Sequence, residues 1–400
     1  MKWKKSRIGD LCDIGRGSSP RPISNPIYFE EGDIPWIKIA DATRSGKYIH
    51  TTKEFVNNYG ASFSRKLPVG SLILATSGVS LGQVKLLGVE GCIHDGWLYL
   101  HNFYGIDKEF LYYRLLLLNE YFLSQAYGAA IPNINTDILR NVEIKIPQLK
   151  TQQKIASILS AYDNLIENNL RRTRLLEESA QLMYKEWFIN LRFPGYEHIM
   201  VVDGIPEGWK RKKLKDITKL IKRGISPQYV NTNGIKVINQ KCIRNHNIDF
   251  RYCKVTSKNK KNASEKYLQP FDILINSTGT GTLGRTAQIV SISEKLTVDS
   301  HITIVRPEEN ISPLYLGYAI FSMEKMIESM GSGATNQTEL STKRLEEITI
   351  LIPNKDLLNA FHENVYEKIL LIENIQQQNQ KLKQARDILL PRLMDGGIEV

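Results

Sequence analysis

Two stretches of the chain place mainly apolar residues at alternating steps of four and three, the spacing of a coiled-coil seam. The first stretch has Ile155, Leu159, Tyr162, Ile166, Asn169, Thr173, Leu176 and Met183, and the second has Phe361, Val365, Ile372, Ile375, Asn379, Leu382 and Leu389. The pattern predicts two long helices that pair, with polar Asn169, Thr173 and Asn379 fixing the register. Two separate amphipathic helices, each packed on its own domain, are the alternative.

The segments before these stretches alternate short apolar runs with polar turns, which predicts a mixed α+β fold. Strands are predicted at Trp36–Ile39, Ser71–Ala75, Gln83–Leu87, Trp97–Leu100 and Val142–Ile146. A helix is predicted near Lys108–Tyr121. Its counterpart in the second segment begins at Ser312-Pro313, because serine caps helices and proline fits their first turn.

The chain repeats itself once, at a spacing of roughly 200 residues that is far too long for a solenoid. "GSLILATSG" (70–78) matches "FDILINSTG" (271–279), Asp95 matches Asp299, and Ile166-Glu167-Asn168 matches Ile372-Glu373-Asn374, in the same order. The series predicts a duplication. Its parts are a first globular domain (1–149), its helix (150–190), a linker (191–208), a second domain (209–354) and its helix (355–395).

Two such helices on one chain can pair antiparallel, with pseudo-twofold symmetry and one domain at each end. From Ile155 to Trp187 the helix would extend about 50 Å at 1.5 Å per residue. That length covers about 15 base pairs at 3.4 Å each. The pair is therefore expected to act as a spacer between the two domains.

Charge favours a polyanionic partner. The net charge is +11, and residues 201–300 alone carry 19 Lys and Arg against 8 Asp and Glu. Neutralising phosphates releases counterions, so such a surplus suits nucleic acid, although a merely solvated basic surface is the alternative.

The four cysteines have no metal-binding spacing, and no apolar run reaches membrane length. A reduced, cytoplasmic protein without metal or membrane contact is expected.

Two motifs suggest catalysis. Gly279, Gly281 and Gly284 form a G-x-G-x-x-G after an apolar run, but the matching "TSGVSLGQVKLLG" (76–88) lacks the middle glycine, and a strand-like segment follows both. A loop between two strands is therefore predicted, and not a dinucleotide site. Asn25-Pro26-Ile27-Tyr28 is similar to the N-P-P-Y of adenine methyltransferases, yet too few residues precede it for a βαβ cofactor unit. A turn is predicted there.

Several segments of the sequence resemble conserved segments of the specificity (S) subunits of type I restriction-modification systems. They are "PQLKTQQKIASILSAYDNLIENN", "LMYKEWFINLRFPG", "LLPRLMDGG", "IPEGWKRKKLKDI" and "GAAIPNINTDIL". The resemblance implies two target-recognition domains that each read half of an interrupted site in double-stranded DNA. It also implies an antiparallel coiled coil that sets the gap between the half-sites. One departure is that Asp356–Asn359 replaces the Thr151–Lys154 start of the first helix.

The resemblance further implies a scaffold that is not an enzyme. Two methyltransferase (M) subunits and restriction/translocase (R) subunits would bind it, and S-adenosylmethionine, ATP and Mg would be held only by those partners. A methyltransferase or nuclease with a fused target-recognition domain is the alternative function. A coiled-coil interaction protein without a DNA role is a third possibility, disfavoured by the basic second domain.

Candidate DNA contacts are polar residues in loops between predicted strands, since Arg reads guanine, Asn and Gln read adenine, and Lys, Ser and Thr contact phosphates. In the first domain the candidates are Arg16, Arg21, Lys38, Arg44, Lys47, Ser77 and Lys85. In the second they are Arg223, Gln228, Lys236, Asn239, Lys241, Arg244, Thr278 and Arg285.

Overall fold

The computed structural model describes residues 3–43, 45–126, 133–257, 264–333 and 338–400 of the 400-residue chain. The chain divides into two compact units. The first consists of Met1–Thr173 with Asn374–Val400, and the second of Arg174–Glu373. Each unit therefore contains one globular domain together with a segment of both long helices.

The first unit is built on three antiparallel or mixed sheets. Its strands are β1 (Lys4–Arg7), β2 (Cys12–Arg16), β3 (Ile34–Ile37), β4 (Tyr48–Ile49), β5 (Glu54–Val56), β6 (Arg65–Leu67), β7 (Leu72–Ala75), β8 (Val84–Leu87), β9 (Gly91–Ile93), β10 (Trp97–Phe103) and β11 (Glu143–Ile146). The sheets have the orders β2-β10-β7-β8-β4, β5-β3-β9-β6 and β1-β11. The helices are α1 (Ile39–Ala42), α2 (Asn58–Ser62), α3 (Lys108–Leu117), α4 (Asn119–Ala126) and α5 (Thr136–Asn141), and the long helix α6 (Leu149–Tyr184) starts here.

The second unit follows the same plan. A linker hairpin of β12 (Val201–Val202) and β13 (Ile205–Pro206) leads into it. Its further strands are β14 (Lys210–Lys213), β15 (Thr218–Arg223), β16 (Ile235–Ile238), β17 (Ile243–Arg244), β18 (Asn247–Ile248), β19 (Lys254–Thr256), β20 (Ile273–Asn276), β21 (Thr286–Gln288), β22 (Leu296–Val298), β23 (Ile302–Pro307) and β24 (Thr349–Ile352). The helices are α7 (Pro313–Ser322), α8 (Glu324–Ser329), α9 (Thr342–Glu346) and the long α10 (Lys355–Met394).

Strand pairing confirms the duplication read from the sequence. The order β2-β10-β7-β8 of the first unit recurs as β15-β23-β20-β21 in the second. The parallel pair β3–β9 recurs as β16–β22, and the antiparallel pair β1–β11 recurs as β14–β24. The fold is therefore mixed α+β, as predicted, with two copies of one domain in a single chain.

Local sequence explains the main elements. All four residues of β7 and of β20 are buried, because both strands lie inside their sheets. Asp107 caps α3 by accepting a hydrogen bond from the backbone N–H of Phe110. Ser312 caps α7 in the same way, with Pro313 in the first turn, as the sequence predicted. The predicted strand positions agree with β3, β7, β8, β10 and β11 to within a few residues.

The two long helices pair antiparallel within the first unit. Asp163 of α6 forms an ion pair with Arg386 of α10, whereas Asn169, further along α6, bonds to Asn379, earlier in α10. Ile155 and Leu159 share an apolar cluster with Leu393 of α10. The alternative of two helices that do not pair is therefore wrong.

All the predicted seam residues are buried or half-buried. Those that are buried are Ile155, Leu159, Ile166, Asn169, Phe361, Val365, Ile375 and Asn379. Those that are half-buried are Tyr162, Thr173, Leu176, Met183, Ile372, Leu382 and Leu389. In the second unit, Tyr184 and Phe188 pack on Phe361 with ring centroids 6.2 Å and 5.0 Å apart.

Gln152, from the Thr151–Lys154 start of the first helix, is a structural residue. Its side chain is 1% exposed. The amide oxygen accepts from the backbone N–H of Asp107 at 2.8 Å, and the amide nitrogen donates to the carbonyls of Gly105 and Pro147. Buried Leu358 is the counterpart in α10. At this position the second helix therefore has a buried apolar side chain, Leu358, where the first helix has the buried and hydrogen-bonded Gln152.

We predict that Asn169→Ala lowers the free energy of unfolding by about 1–3 kcal/mol, since it leaves the buried amide oxygen of Asn379 without its donor. Urea denaturation of the full-length chain, followed by far-ultraviolet circular dichroism, measures the loss. Exposed Asn168→Ala is the control and should be close to neutral. The double variant N169L/N379L should be more stable than the single one, since it removes both polar groups. Equal, small effects of Asn169→Ala and the control would contradict the prediction.

Candidate nucleic-acid interface

Polar residues gather at one end of the strands of the first domain. Arg16 ends β2, Lys38 follows β3, Ser77 lies just after β7 and Asp95 just after β9. β10 runs antiparallel to both β2 and β7, so the last residues of those two strands meet at the same end. The indole N–H of Trp97 donates to the carbonyl of Ile37, which brings the end of β3 to the same place. We name Arg16, Lys38, Ser77 and Asp95 the first edge.

The second domain repeats this arrangement. Arg223 ends β15, Asn239 follows β16, Thr278 follows β20 and Asp299 follows β22. These four residues form the second edge. They stand at the positions that the sequence repeat pairs with those of the first edge. The strands β15, β16 and β20 have neighbours equivalent to those of β2, β3 and β7.

A close backbone crossing fixes each edge. A Cβ on Gly17 would lie 2.2 Å from the carbonyl oxygen of His94, and a Cβ on Gly224 would lie 2.2 Å from the carbonyl oxygens of Val298 and Asp299. Gly17 donates its N–H to the carbonyl of Trp97, and Gly224 donates to that of Ile302. Only glycine fits these crossings, so the loops after β2 and β15 are held against the neighbouring sheet.

Asp95 organises the charges of the first edge. Arg21 pairs with its carboxylate, Nε of Arg16 donates to its carbonyl at 2.8 Å, and Nδ1 of His94 lies 2.9 Å from its second carboxylate oxygen. Burial lowers the pKa of His94. Lys38 pairs with Glu54 at 2.7 Å and lies over the ring of Trp36. The Arg21 side chain remains 66% exposed and so can exchange this contact for a phosphate.

A hydrogen-bonded chain crosses the second edge. The amide of Gln240 donates to the hydroxyl of Thr278 at 2.6 Å, and that hydroxyl lies 2.7 Å from Nδ1 of His301. The backbone N–H of His301 donates to Asp299, and burial raises the pKa of Asp299. Arg223 pairs with Glu339 and donates to the carbonyl of Leu340 at 2.7 Å. Amide, hydroxyl, imidazole and guanidinium groups thus share one surface, and these groups suit bases and phosphates.

Two first-domain lysines are structural. Lys47, one of the candidate DNA contacts, has a side chain that is only 1% exposed. Its ammonium pairs with Glu109 and donates to the hydroxyls of Tyr113 and Ser160, both at 3.2 Å. Lys85 donates to the carbonyls of Ser45 and Gly46, and burial lowers the pKa of Lys85 to about 8. These two hydrogen bonds hold the Ser45–Gly46 loop against β8. Arg44 lies outside the described residues.

The remaining second-domain candidates differ in exposure and in their partners. Gln228, Lys241 and Arg244 are exposed, and the guanidinium of Arg244 lies 5.5 Å from the ring centre of Tyr252. Lys236 pairs with Glu294. Arg285 is half-buried and donates to the carbonyl of Gly281 at 2.7 Å.

The glycine motif forms a turn, as the sequence predicted. Gly279, Gly281 and Gly284 all have positive φ, and the segment joins the antiparallel strands β20 and β21. Asn25–Tyr28 is also a turn. The side chain of Asn25 accepts from the N–H of Ile27, and buried Tyr28 donates its hydroxyl to the carbonyl of Arg21. Asn25 and Tyr28 therefore shape the loop that carries Arg21.

Sequence reasoning missed Gln240, His94 and His301 at the two edges. Asp95 and Asp299 carried the available signal, because they match across the repeat and each has a histidine one or two residues away.

Comparison with known proteins decides the family. Residues 1–178 and 206–383 each match the model of the type I restriction modification DNA specificity domain. The chain belongs to this family. Each matched region spans one globular domain and most of the long helix that follows it, so the family unit coincides with the repeated unit of the fold.

Relatives of this specificity family match along nearly the whole chain. The chain is 27% identical over 419 residues to the type I restriction enzyme MjaIX specificity subunit of Methanocaldococcus jannaschii, covering 100% of this chain and 94% of the relative. It is 24% identical over 482 residues to the HindI specificity subunit of Haemophilus influenzae, covering 99% of each. The crystal structure of the type I S subunit from M. genitalium has the same fold, with a TM-score of 0.60 and 18% identity over 98% of this chain and 96% of that one.

The described part of this specificity-family chain contains neither a spanning helix nor a metal cluster. Within the described ranges, no helix is long and apolar enough to cross a membrane. Among the same residues, no group of three or more His, Cys, Asp or Glu side chains could hold a metal ion.

We predict that Lys47→Met lowers the free energy of unfolding by about 2 kcal/mol, because it removes a buried ammonium together with its ion pair to half-buried Glu109 and its hydrogen bonds. DNA affinity of the folded protein should stay unchanged. Urea denaturation and a DNA-binding titration measure the two quantities. Lys66→Met, which removes an exposed pair with Glu90, is the control for stability. A loss of DNA affinity without loss of stability would restore Lys47 to the DNA contacts.

We predict that Arg244→Ala weakens binding of the second half-site and lowers the slope of log affinity against log salt by about one, as for one lost phosphate contact. Arg251→Ala is the matched control. It removes the same charge a few residues further along the chain, but that charge is already paired with Asp249 at 2.7 Å. Titrations at several salt concentrations compare them, and equal slopes for both variants would remove Arg244 from the interface.

Proposed function

We propose that this chain is the DNA sequence-recognition subunit of a type I restriction-modification complex. The carrying observation is that one chain of the specificity family presents the same polar edge twice, at Arg16, Lys38, Ser77 and Asp95 and again at Arg223, Asn239, Thr278 and Asp299. Each edge reads one half of an interrupted site in double-stranded DNA. Arginine and amide groups contact base edges, and the hydroxyl, lysine and backbone groups position the phosphates.

The two long helices act as a spacer between the half-sites. α6 and α10 carry one continuous seam each, and the Asn169–Asn379 bond lies near the middle of both. Because a polar seam pair fixes register, the helices hold one alignment along their length. The gap between the half-sites then follows from helix length.

The chain is a scaffold and not an enzyme. Two methyltransferase subunits and the restriction/translocase subunits bind it and hold S-adenosylmethionine, ATP and Mg, and the complex works in the cytoplasm. The relatives are named as specificity subunits of type I restriction enzymes, which supports a role in recognition for this chain. The alternative is a fused methyltransferase or nuclease. The two motifs that suggested catalysis, Asn25–Tyr28 and Gly279–Gly284, both form turns in the structure, so they do not support it.

Methylation mapping of the source genome tests the proposal. An interrupted motif methylated on adenine should be present, and deletion of this gene should remove it. The purified chain alone should not methylate a duplex carrying that motif, whereas the chain with its methyltransferase subunits should. Methylation by the chain alone would overturn the scaffold role, and a motif that survives the deletion would overturn recognition.

We predict that removing Asn168–Arg174 together with Asn374–Gln380, one matched heptad from each helix, shortens the preferred gap by about three base pairs, since seven residues span about 10.5 Å. The deletion keeps Asp163 and Arg386, and it keeps the four-three seam spacing. Methylation mapping with the variant measures the gap. The full-length N169L/N379L variant also lacks the asparagine pair, but it keeps the Asp163–Arg386 ion pair that aligns the helices, and it should keep the natural gap. An unchanged gap in the deletion variant would refute the spacer.

A further inference from the structure

Two free thiols lie side by side next to the second edge. The sulfur atoms of Cys242 and Cys253 are 3.8 Å apart. Cys242 is buried, whereas Cys253 is partly exposed, so small molecules can reach the pair. The two cysteines belong to separate segments, since Cys242 ends the helical turn Gln240–Cys242 and Cys253 follows the turn Phe250–Tyr252. A bond between them would tie these two segments together.

The Cys242 sulfur is part of the framework that positions Asn239. The backbone N–H of Asn239 donates to Sγ of Cys242 at 3.4 Å. The side chain of Asn239 accepts from the N–H of Lys241 at 2.9 Å and donates to the carbonyl of Tyr252 at 2.6 Å. A displacement of the sulfur would therefore disturb Asn239 and the turn that carries Gln240 and Lys241.

At the equivalent positions, the first domain has oxygen-containing side chains in place of the two cysteines. There the backbone N–H of Lys38 donates to the carboxylate of Asp41 at 2.9 Å, and the hydroxyl of Thr52 donates to the same carboxylate at 3.0 Å. Asp41 stands where the repeat places Cys242, and Thr52 makes the contact that Cys253 makes in the second domain. A carboxylate and a hydroxyl cannot be joined by oxidation, whereas two thiols can.

We propose that Cys242 and Cys253 form an oxidation site whose disulfide weakens recognition by the second edge and leaves the first edge unchanged. The recognition part rests on the proposed function, while the chemistry does not. The sulfur separation must fall from 3.8 Å to about 2.05 Å, which pulls the acceptor away from Asn239. The two segments are then held in a different arrangement.

The oxidant is a peroxide, and the reaction balances with two molecules of water. One thiolate of the pair attacks a peroxide oxygen, which breaks the O–O bond and leaves a sulfenic acid and one water. The second thiolate attacks that sulfur, the S–O bond breaks, and the oxygen leaves as the second water. The two thiol protons end in the two waters. The hydrogen bond with Cys253 lowers the pKa of Cys242, which favours the reactive thiolate.

Hydrogen peroxide treatment of the full-length chain in complex with its methyltransferase subunits tests the inference. Peptide mass mapping should find the Cys242 and Cys253 peptides joined, with the loss of two hydrogens. Affinity for a duplex carrying the mapped motif should fall about tenfold, the scale of one disturbed base contact, and dithiothreitol should restore it. Cys253→Ser keeps a hydroxyl donor beside Cys242 and should bind equally before and after peroxide. Cys253→Ala is a second variant in case the serine disturbs the fold.

The outcomes separate the two proposals. Absence of the linked peptides in the oxidised wild type overturns the oxidation site. Linked peptides with unchanged affinity overturn its effect on recognition, as does an equal loss of affinity in the Cys253 variants. If the reduced wild type does not bind the duplex, the proposed function fails, whereas the peptide mapping still decides the oxidation chemistry.

Discussion

The structure depends on the burial of one apolar stripe of each long helix. In the first unit, Ile155 and Leu159 of α6 join Leu393 of α10 in the same apolar cluster as the sheet residues of the first domain. In the second unit, Tyr184 and Phe361 join the cluster of the second domain. Each domain core is therefore completed by both helices. The apolar stripes of the helices and the apolar surfaces of the domains therefore cover one another.

Polar groups inside these cores determine how the parts fit. Gln152 connects the start of α6 to the loop before α3, and Lys47 connects a domain loop to Glu109 and to Ser160 of α6. The backbone N–H of Lys47 also donates to Glu167 at 3.0 Å. Apolar burial alone would tolerate several orientations of a domain on its helix. Since a buried polar group must keep its partners, these contacts select one orientation.

Much of this fold can be predicted from local patterns in the chain. The four-three seam, the strand runs and the capped helix at Ser312 all depend on residues near one another in sequence. They can therefore be recognised from the sequence alone. The duplication is visible because matched words keep their order. The position of Asp95 and Asp299 at equivalent edges follows from it.

The individual contacts are much less accessible from sequence. Lys47 looks exposed among Gly46, Tyr48 and their polar neighbours, and its burial depends on Glu109, Tyr113 and Ser160, which are far away in the chain. His301 and Gln240 come together only when β16, β20 and β23 take their places. Side-chain partnerships of this kind are set by tertiary packing, which no local period records.

The close backbone crossings at Gly17 and Gly224 are the same in both units, whereas the side chains beside them differ. Each crossing is made by backbone atoms of its own unit, and the residues around it differ between the copies, with Lys38 against Asn239 and Ser77 against Thr278. Side chains at one edge can therefore be exchanged without reshaping the loop that presents them and without touching the other edge. The backbone support is therefore common to both copies, whereas the side chains that it presents are particular to each copy.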